Sequence, residues 1–234
     1  TPAAVPNAVG ATATFDFSGP TGVAYVVNLS GGPYTVGTLN LNDPAGASLA
    51  GYLFSNGTLR MSAPGGAAIN VVTNTGSFSA FSTTFGASFL DLASNTTITT
   101  TSATARFGAD TPVSGSGALI ATGLGKVTLK GANTYAGGTN VQGGTLQLSG
   151  AGTLGATTSA TTVSGGTLDL GGTTQTQASF NLAGGTIANG GLSGPISSAG
   201  GTLNQIAAAA NDLTTTGGTT YLTGTNSFAN IRNT

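Results

Sequence analysis

Residues 115–148 read GSGALIATGLGKVTLKGANTYAGGTNVQGGTLQL, a run of short apolar pieces separated by glycines. Apolar and polar residues alternate in KVTLK at 126–130 and in TLQL at 145–148. A period of two is typical of β-strands that bury one face. The glycine pairs at 137–138 and 143–144 mark tight turns, because glycine adopts positive φ without steric cost. No helix of useful length fits between these breaks, so the stretch predicts all-β structure.

The tripeptide Gly-Gly-Thr recurs through the C-terminal half at spacings typical of a solenoid. The copies that define the repeat each open a strand and begin at Gly143, Gly165, Gly184, Gly200 and Gly217, with steps of 22, 19, 16 and 17 residues. Each copy is followed by a short strand with one or two apolar side chains at alternate positions. If the chain returns to the same edge once per repeat, these side chains stack into one dry column. The sequence therefore predicts a single-stranded parallel β-helix, which is a β-solenoid.

Residues 123–139, GLGKVTLKGANTYAGGT, and their continuation to residue 146 resemble the autotransporter-associated β-strand repeat. That repeat occurs in passenger domains of bacterial type V secretion proteins. The resemblance implies a right-handed β-helix that is secreted or displayed on the outer cell surface of a Gram-negative bacterium. It also implies an outer-membrane β-barrel C-terminal to this segment. It implies no particular activity, because one fold carries many functions.

The repeats divide the chain into three regions. We expect residues 1–12 to form an N-terminal arm or part of a cap, residues 13–114 to form N-terminal β-helix rungs, and residues 115–234 to form the C-terminal rungs. The last two regions are predicted to be one continuous domain. Gly-Thr-Leu at 37–39 and again at 57–59 indicates that the helix begins before residue 40. With roughly 16 to 22 residues per turn and a rise of about 4.8 Å, the chain makes about eleven or twelve turns and a rod roughly 50 to 60 Å long.

The composition excludes several classes of function. Only 5% of the residues are charged and the net charge is -1, so no basic face for nucleic acid is expected. The chain has no His and no Cys, which excludes His-based triads, thiol chemistry and disulfides. No apolar run is long enough for a membrane-spanning helix. We expect no cofactor and no metal ion.

A β-helix enzyme acting on polysaccharide is the catalytic alternative, and it needs clustered carboxylates. The six acidic residues are spread along the chain: Asp16, Asp43, Asp91, Asp110, Asp169 and Asp212. Asp91 and Asp110 are the two with a basic neighbour, Arg106, within about one turn. We interpret them as members of a surface ion pair. The sequence therefore predicts that the protein is not an enzyme and has no catalytic residue.

Two side-chain patterns have competing interpretations. Four of the ten phenylalanines lie within residues 78–90, which predicts an aromatic column inside the helix and disfavours an exposed ligand platform. The TTITTT run at 96–101 suits a flat threonine lattice of the kind that binds ice. Such a lattice needs Thr-x-Thr on every turn, and it occurs cleanly once here. We favour ordinary exposed β surface.

These observations predict a structural or adhesive rod that acts by self-association or by contact with a host or neighbouring-cell surface. A β-helix has an unpaired strand edge at each end, and a net charge near zero gives weak repulsion between copies. Two explanations stay open. The chain is a piece cut from a longer passenger, or copies stack head to tail into an extracellular fibre. Electron microscopy distinguishes separate rods from continuous filaments.

Overall fold

The computed structural model describes residues 6–16, 25–42, 52–72, 88–208 and 210–234, which form strands and turns and contain no helix. The strands in chain order are β1 (Thr12–Asp16), β2 (Tyr25–Asn28), β3 (Tyr34–Val36), β4 (Thr38–Asn42), β5 (Tyr52–Ser55), β6 (Gly57–Met61), β7 (Ala67–Val72), β8 (Ser88–Leu92), β9 (Thr96–Thr100), β10 (Arg106–Ala109), β11 (Val113–Ser114), β12 (Leu119–Gly123), β13 (Lys126–Leu129), β14 (Thr139–Val141), β15 (Thr145–Leu148), β16 (Ala160–Val163), β17 (Thr167–Asp169), β18 (Thr174–Thr176), β19 (Ser179–Ser193), β20 (Ile196–Ala208), β21 (Leu213–Thr215), β22 (Thr220–Thr223), β23 (Ser227–Phe228) and β24 (Ile231–Asn233). Each pairing between described strands is parallel. The predicted all-β parallel solenoid is confirmed.

The longest stack of paired strands, here called ladder one, runs through the whole described chain. Its members are β1, β4, β7, β9, β12, β14, β16, the first part of β19, the first part of β20, β21 and β24. Eleven strands at a spacing of about 4.8 Å give a rod about 50 Å long. This agrees with the turn count that the sequence predicts.

The Gly-Gly-Thr repeats build a second stack, ladder two. It consists of β10, β13, β15, β17, the middle of β19, the middle of β20 and β22. Thr145, Thr167, Thr186 and Thr202 occupy one register position on consecutive turns. At the fifth copy, Tyr221 takes that position, because Thr219 and Thr220 separate it from the glycine pair. The predicted phase of the repeat is therefore confirmed for four copies and shifted in the fifth.

A third stack, ladder three, joins β3, β6, β8 and β11. Shorter pairings join β2 to β5, β18 to the end of β19, and the end of β20 to β23. The strand β19 turns two corners, with register shifts at Leu182, Ala183 and Thr186. One turn of the chain therefore passes through up to three stacked faces.

The interior of the rod is a continuous apolar column. Leu146, Leu168, Ile187 and Leu203 stack in ladder two and have no exposed surface. On ladder one, alternate residues turn inward in the same way, among them Leu39, Ile69, Ile98, Val141 and Val163. Burying each such side chain contributes roughly 1.5–3 kcal/mol. The column explains why a chain with so few charges folds without disulfides.

The second glycine of each pair forms a tight corner before ladder two. Gly144, Gly166 and Gly185 have φ angles of 61°, 63° and 65°. A Cβ atom on Gly166 would lie 2.5 Å from the carbonyl oxygen of Gly144, and one on Gly185 would lie 2.6 Å from that of Gly166. The corner therefore needs glycine both for its left-handed conformation and for the close approach of successive turns.

The loop between β13 and β14 ties three turns together through one buried amide. Asn133 Oδ1 accepts a hydrogen bond from Val113 N at 2.8 Å, and Asn133 Nδ2 donates to Thr153 O at 2.7 Å. Tyr135, which is fully buried, fills the same corner, and its hydroxyl lies 2.6 Å from Thr139 Oγ1. In the Gly-Ala-Asn-Thr-Tyr segment, Asn133 therefore bonds backbone groups that no strand pairs at this corner, and Tyr135 fills the space inside it.

The turns in the N-terminal half are longer than predicted. Thr38 pairs with Thr12 and with Ala68, at separations of 26 and 30 residues, whereas the sequence predicted 16 to 22. The Gly-Thr-Leu copies also lie on different ladders, since the first opens β4 and the second lies in β6. A local pattern shows which side chains turn inward, but it does not show which ladder a strand joins.

The predicted interior aromatic column is wrong for the one phenylalanine of the 78–90 cluster that is described. Phe89 is 41% exposed, because Ser88 and Leu90 take the inward positions of β8. Phe78, Phe81 and Phe85 lie outside the described residues.

The described part of the N-terminal segment, which was predicted as an arm or cap, hydrogen-bonds to the turns beside it. Thr35 N donates to Asn7 Oδ1, and Gly10 N donates to Ser62 O.

Candidate functional site

Asp91 and Asp110, the two carboxylates considered for catalysis, each lie in an ion pair between adjacent turns. Arg60 Nε lies 2.7 Å from Asp91 Oδ2 on ladder three, where the two residues are register partners. Lys130 Nζ lies 2.8 Å from Asp110 Oδ1, just beyond the paired ends of β10 and β13. The structure therefore assigns the two carboxylates to different ladders and gives each its own cation.

The predicted partner of these carboxylates was wrong, although the interpretation as surface ion pairs holds. Arg106 contacts neither Asp91 nor Asp110. Its Nη1 donates instead to the carbonyl oxygens of Ala103 and Ala105, at 2.7 and 3.0 Å. The true partner Arg60 is 31 residues before Asp91, a separation set by the long N-terminal turns.

The remaining described acids also have polar partners. Asp212 accepts hydrogen bonds from Asn230 and Arg232, at 2.8 Å each, one turn further along. Asp16 accepts one from Asn42 Nδ2. Asp43 lies outside the described residues. Among the residues that the structure describes, no three His, Cys, Asp or Glu side chains come together as metal ligands would.

A row of polar side chains crosses four turns on the outside of ladder two, and we call it the polar row: Lys126, Gln147, Asp169 and Asn189. Lys126 Nζ donates to Gln147 Oε1 at 3.2 Å, and Gln147 Nε2 donates to Asp169 Oδ2 at 2.9 Å. Asn189 Nδ2 donates to Asp169 Oδ1 at 3.2 Å. Sequence reasoning missed this row. The spacing of its residues in the sequence could have revealed it, because they lie 21, 22 and 20 positions apart, close to the period of the repeat.

The polar row holds Asp169 ionised. Partial burial works to raise the pKa of this carboxyl, but hydrogen bonds from Gly171 N, Asn189 and Gln147, with the charge of Lys126, outweigh burial and lower the pKa below its ordinary value. A lowered pKa in the folded state means that the carboxylate stabilises the fold above its unfolded pKa. That contribution is lost as pH falls through the folded pKa.

We expect Asp169→Asn to flatten the acid limb of the stability profile. Wild-type unfolding free energy should fall as pH drops below about 4, the ordinary Asp pKa, and the variant should lose less over the same interval. Urea unfolding at a series of pH values measures the unfolding free energy of the wild type and of the variant. An equal loss in the two proteins would contradict the contribution of the polar row.

The Thr-x-Thr pair of β9 has no matching neighbours. Thr97 pairs with Ala68 on one side and Ile120 on the other, while Thr99 has Asn70 and Thr122 beside it. Thr96 and Thr100 turn into the core and are almost fully buried. This arrangement fits ordinary β surface better than a flat threonine lattice.

A shallow groove of about 570 Å³ lies beside the Asn133 corner and is lined by threonines and amides of three successive turns. Gln175, one of its three buried amides, is satisfied within the fold, because it accepts from Leu154 N and donates to Gly152 O and Thr173 Oγ1. The other two amides that line the groove, Asn133 and Gln177, also hydrogen-bond within the fold. Within the described ranges, no helix has the length and hydropathy needed to cross a membrane.

Comparison with known families identifies the central stretch. Residues 119–148 match the passenger-associated-transport-repeat family, a repeat found in autotransporter passenger domains. The match runs from the start of β12 to the end of β15, and it includes the Asn133 corner and the first Gly-Gly-Thr copy. The resemblance seen in the sequence is thereby confirmed for this stretch. No curated protein and no solved structure gives a significant match to the chain.

Proposed function

We propose that this chain is a structural and adhesive rod of a bacterial autotransporter passenger, exported to the outer surface of a Gram-negative cell. It acts by self-association or by contact with a host or neighbouring-cell surface. The observation that carries the proposal is the unbroken stack of ladder one, whose eleven strands hold the passenger repeat in register with the turns on both sides. A rod built this way presents its side faces over its whole length.

The outward side chains support a contact role. They are mostly Thr, Ser, Asn and Gln, and the ion pairs neutralise much of the small charge that the described surface carries. Weak electrostatic repulsion allows such faces to approach one another or another surface closely. Asp91 and Asp110, each held by its own cation on a different ladder, are poorly placed to act together on a glycosidic bond.

Beads coated with the purified chain test the adhesive role. We expect them to aggregate with each other or to bind cultured bacterial or epithelial cells, whereas beads coated with heat-unfolded chain should do neither. Beads that stay dispersed and bind no cell type would contradict the proposal. Electron micrographs of the same preparation should show separate rods about 50 Å long, and continuous filaments would favour the fibre interpretation.

The enzymatic alternative has its own test. Wild-type chain and an Asp91→Asn, Asp110→Asn double variant would be incubated with a panel of polysaccharides, with product size followed by chromatography. We expect no cleavage by either protein. Cleavage by the wild type that the double variant loses would reverse the proposal.

A further inference from the structure

Arg106 and Lys126 form an aligned pair of cations on the outside of ladder two. The two residues are register partners at the starts of β10 and β13, so their backbones lie on adjacent turns about 4.8 Å apart. Their neighbours Phe107 and Val127 turn into the core, which directs the two cations outward. Two cations on adjacent turns repel each other, and an anion beside them relieves the repulsion.

The two side chains lean away from each other. The Arg106 guanidinium folds back onto the carbonyl oxygens of Ala103 and Ala105, and Lys126 Nζ reaches forward to Gln147 on the next turn. Within the described part of the chain neither cation has a carboxylate at salt-bridge distance, unlike Arg60, Lys130 and Arg232. Asp169 acts on Lys126 only at longer range, through the polar row.

Donors remain at both cations. Arg106 uses one terminal nitrogen for its two carbonyl contacts, so Nε and the other terminal nitrogen face no acceptor among the described residues. Lys126 uses one of its three donors on Gln147. A sulfate or carboxylate group can accept from the spare donors of each cation, and it would bridge the two once their side chains turn toward each other.

The surroundings favour a hydroxyl-rich ligand. Beyond Lys126 the same column continues with Thr145, Thr167, Thr186 and Thr202. The next outward column contains Thr128, Gln147 and Asp169, whose carboxylate accepts hydrogen bonds from Gln147 and Asn189. Hydroxyl and amide groups at each turn can exchange hydrogen bonds with a polymer that lies along the rod axis. A polysaccharide offers such groups beside its charges, whereas a membrane surface would call for a broad apolar or strongly basic face.

We propose that Arg106 and Lys126 bind the sulfate or carboxylate groups of an acidic polysaccharide that lies along ladder two. This deepens the adhesive role proposed above, because it names a ligand class for the surface that the rod contacts. It rests on that role only in assuming that the contacted cell surface carries the polysaccharide. Bead adhesion and polysaccharide binding are separate measurements, so either can fail alone.

Fluorescence anisotropy of labelled dextran sulfate, titrated with the full chain at low salt, tests the proposal. Wild type should bind dextran sulfate and should not bind uncharged dextran. Arg106→Gln and Lys126→Gln should each weaken binding about fivefold, the upper range for one exposed ionic contact. Lys130→Gln is the control, because it removes a lysine charge just beyond the end of β13, roughly 13 Å away, where Asp110 already pairs with it. It should change affinity by about twofold or less.

Four results would overturn the proposal. The first two are that the wild type does not bind dextran sulfate, or that it binds uncharged dextran equally well. The third is that all three variants lose affinity for dextran sulfate equally. The fourth is that Arg106→Gln and Lys126→Gln both keep the affinity of the wild type. Vesicles of phosphatidylcholine with phosphatidylglycerol test the alternative ligand, an anionic lipid headgroup. Binding to these vesicles that depends on Arg106 and Lys126, without binding to dextran sulfate, would assign the site to a lipid headgroup and contradict the polysaccharide. Circular dichroism of each variant checks that it is folded.

Discussion

Replacing Gly166 with alanine will lower the free energy of unfolding by about 2–5 kcal/mol, through left-handed strain of about 1–2 kcal/mol and overpacking of about 1–3 kcal/mol. Gly166 has a φ of 63°, which a residue with a Cβ adopts only at a cost. The added Cβ would lie 2.5 Å from Gly144 O and 2.6 Å from Gly143 C, and both atoms belong to the backbone of the preceding turn. Neither atom can move without opening the stack. Urea unfolding followed by circular dichroism measures the loss.

Gly172→Ala is the matched control for this prediction. Gly172 also has a positive φ, 80°, but a Cβ there would meet no atom within 4 Å. The control therefore carries the conformational strain alone and should cost about 1–2 kcal/mol. Equal losses in the two variants would show that conformation alone, and not the close approach of stacked turns, makes glycine necessary at this corner.

Leu168→Ala should destabilise the fold by about 2–5 kcal/mol, the usual range for a buried leucine that leaves a cavity. Leu168 has no exposed surface and stacks between Leu146 and Ile187 in the apolar column of ladder two. Because the backbone spacing of the turns is fixed by hydrogen bonds, the neighbouring side chains cannot collapse fully into the space. Thermal and urea unfolding of the variant measure the effect.

Leu124→Ala makes the same chemical change on the surface. Leu124 is 70% exposed, in the turn between β12 and β13, and its replacement should change the unfolding free energy by no more than about 0.5 kcal/mol. A small effect at Leu168, similar to that at Leu124, would mean that the interior is not the dry column described here.

The sequence was most informative where the repeat is short and regular. Each Gly-Gly-Thr copy contains its own corner and its own strand, so spacing alone aligned Thr145, Thr167, Thr186 and Thr202 correctly. Alternation also identified the inward residues, because a strand has only two faces. These features are local, and a local pattern suffices to predict them.

The sequence was least informative where contacts depend on the length of a turn. Arg60 and Asp91 meet because 31 residues complete one N-terminal turn, and nothing in either residue's neighbourhood indicates that length. The expected partner Arg106 is closer to Asp91 in sequence but belongs to a different ladder. The polar row could have been found from the repeat period, whereas the ion pairs required the register itself.

Disulfide trapping tests the stacked register most directly, because the chain has no cysteine of its own. Thr145 and Thr167 are outward register partners on adjacent turns. Their Cα atoms should lie about 5 Å apart, within the range that a disulfide bridges. Gln147 and Thr167 are offset by two residues on the same face, at roughly 8 Å, which is beyond that range. We predict that mild oxidation links Thr145→Cys with Thr167→Cys rapidly within one chain and leaves Gln147→Cys with Thr167→Cys unlinked. Rapid linkage of the offset pair, or none in the aligned pair, would contradict the stacking of the Gly-Gly-Thr turns.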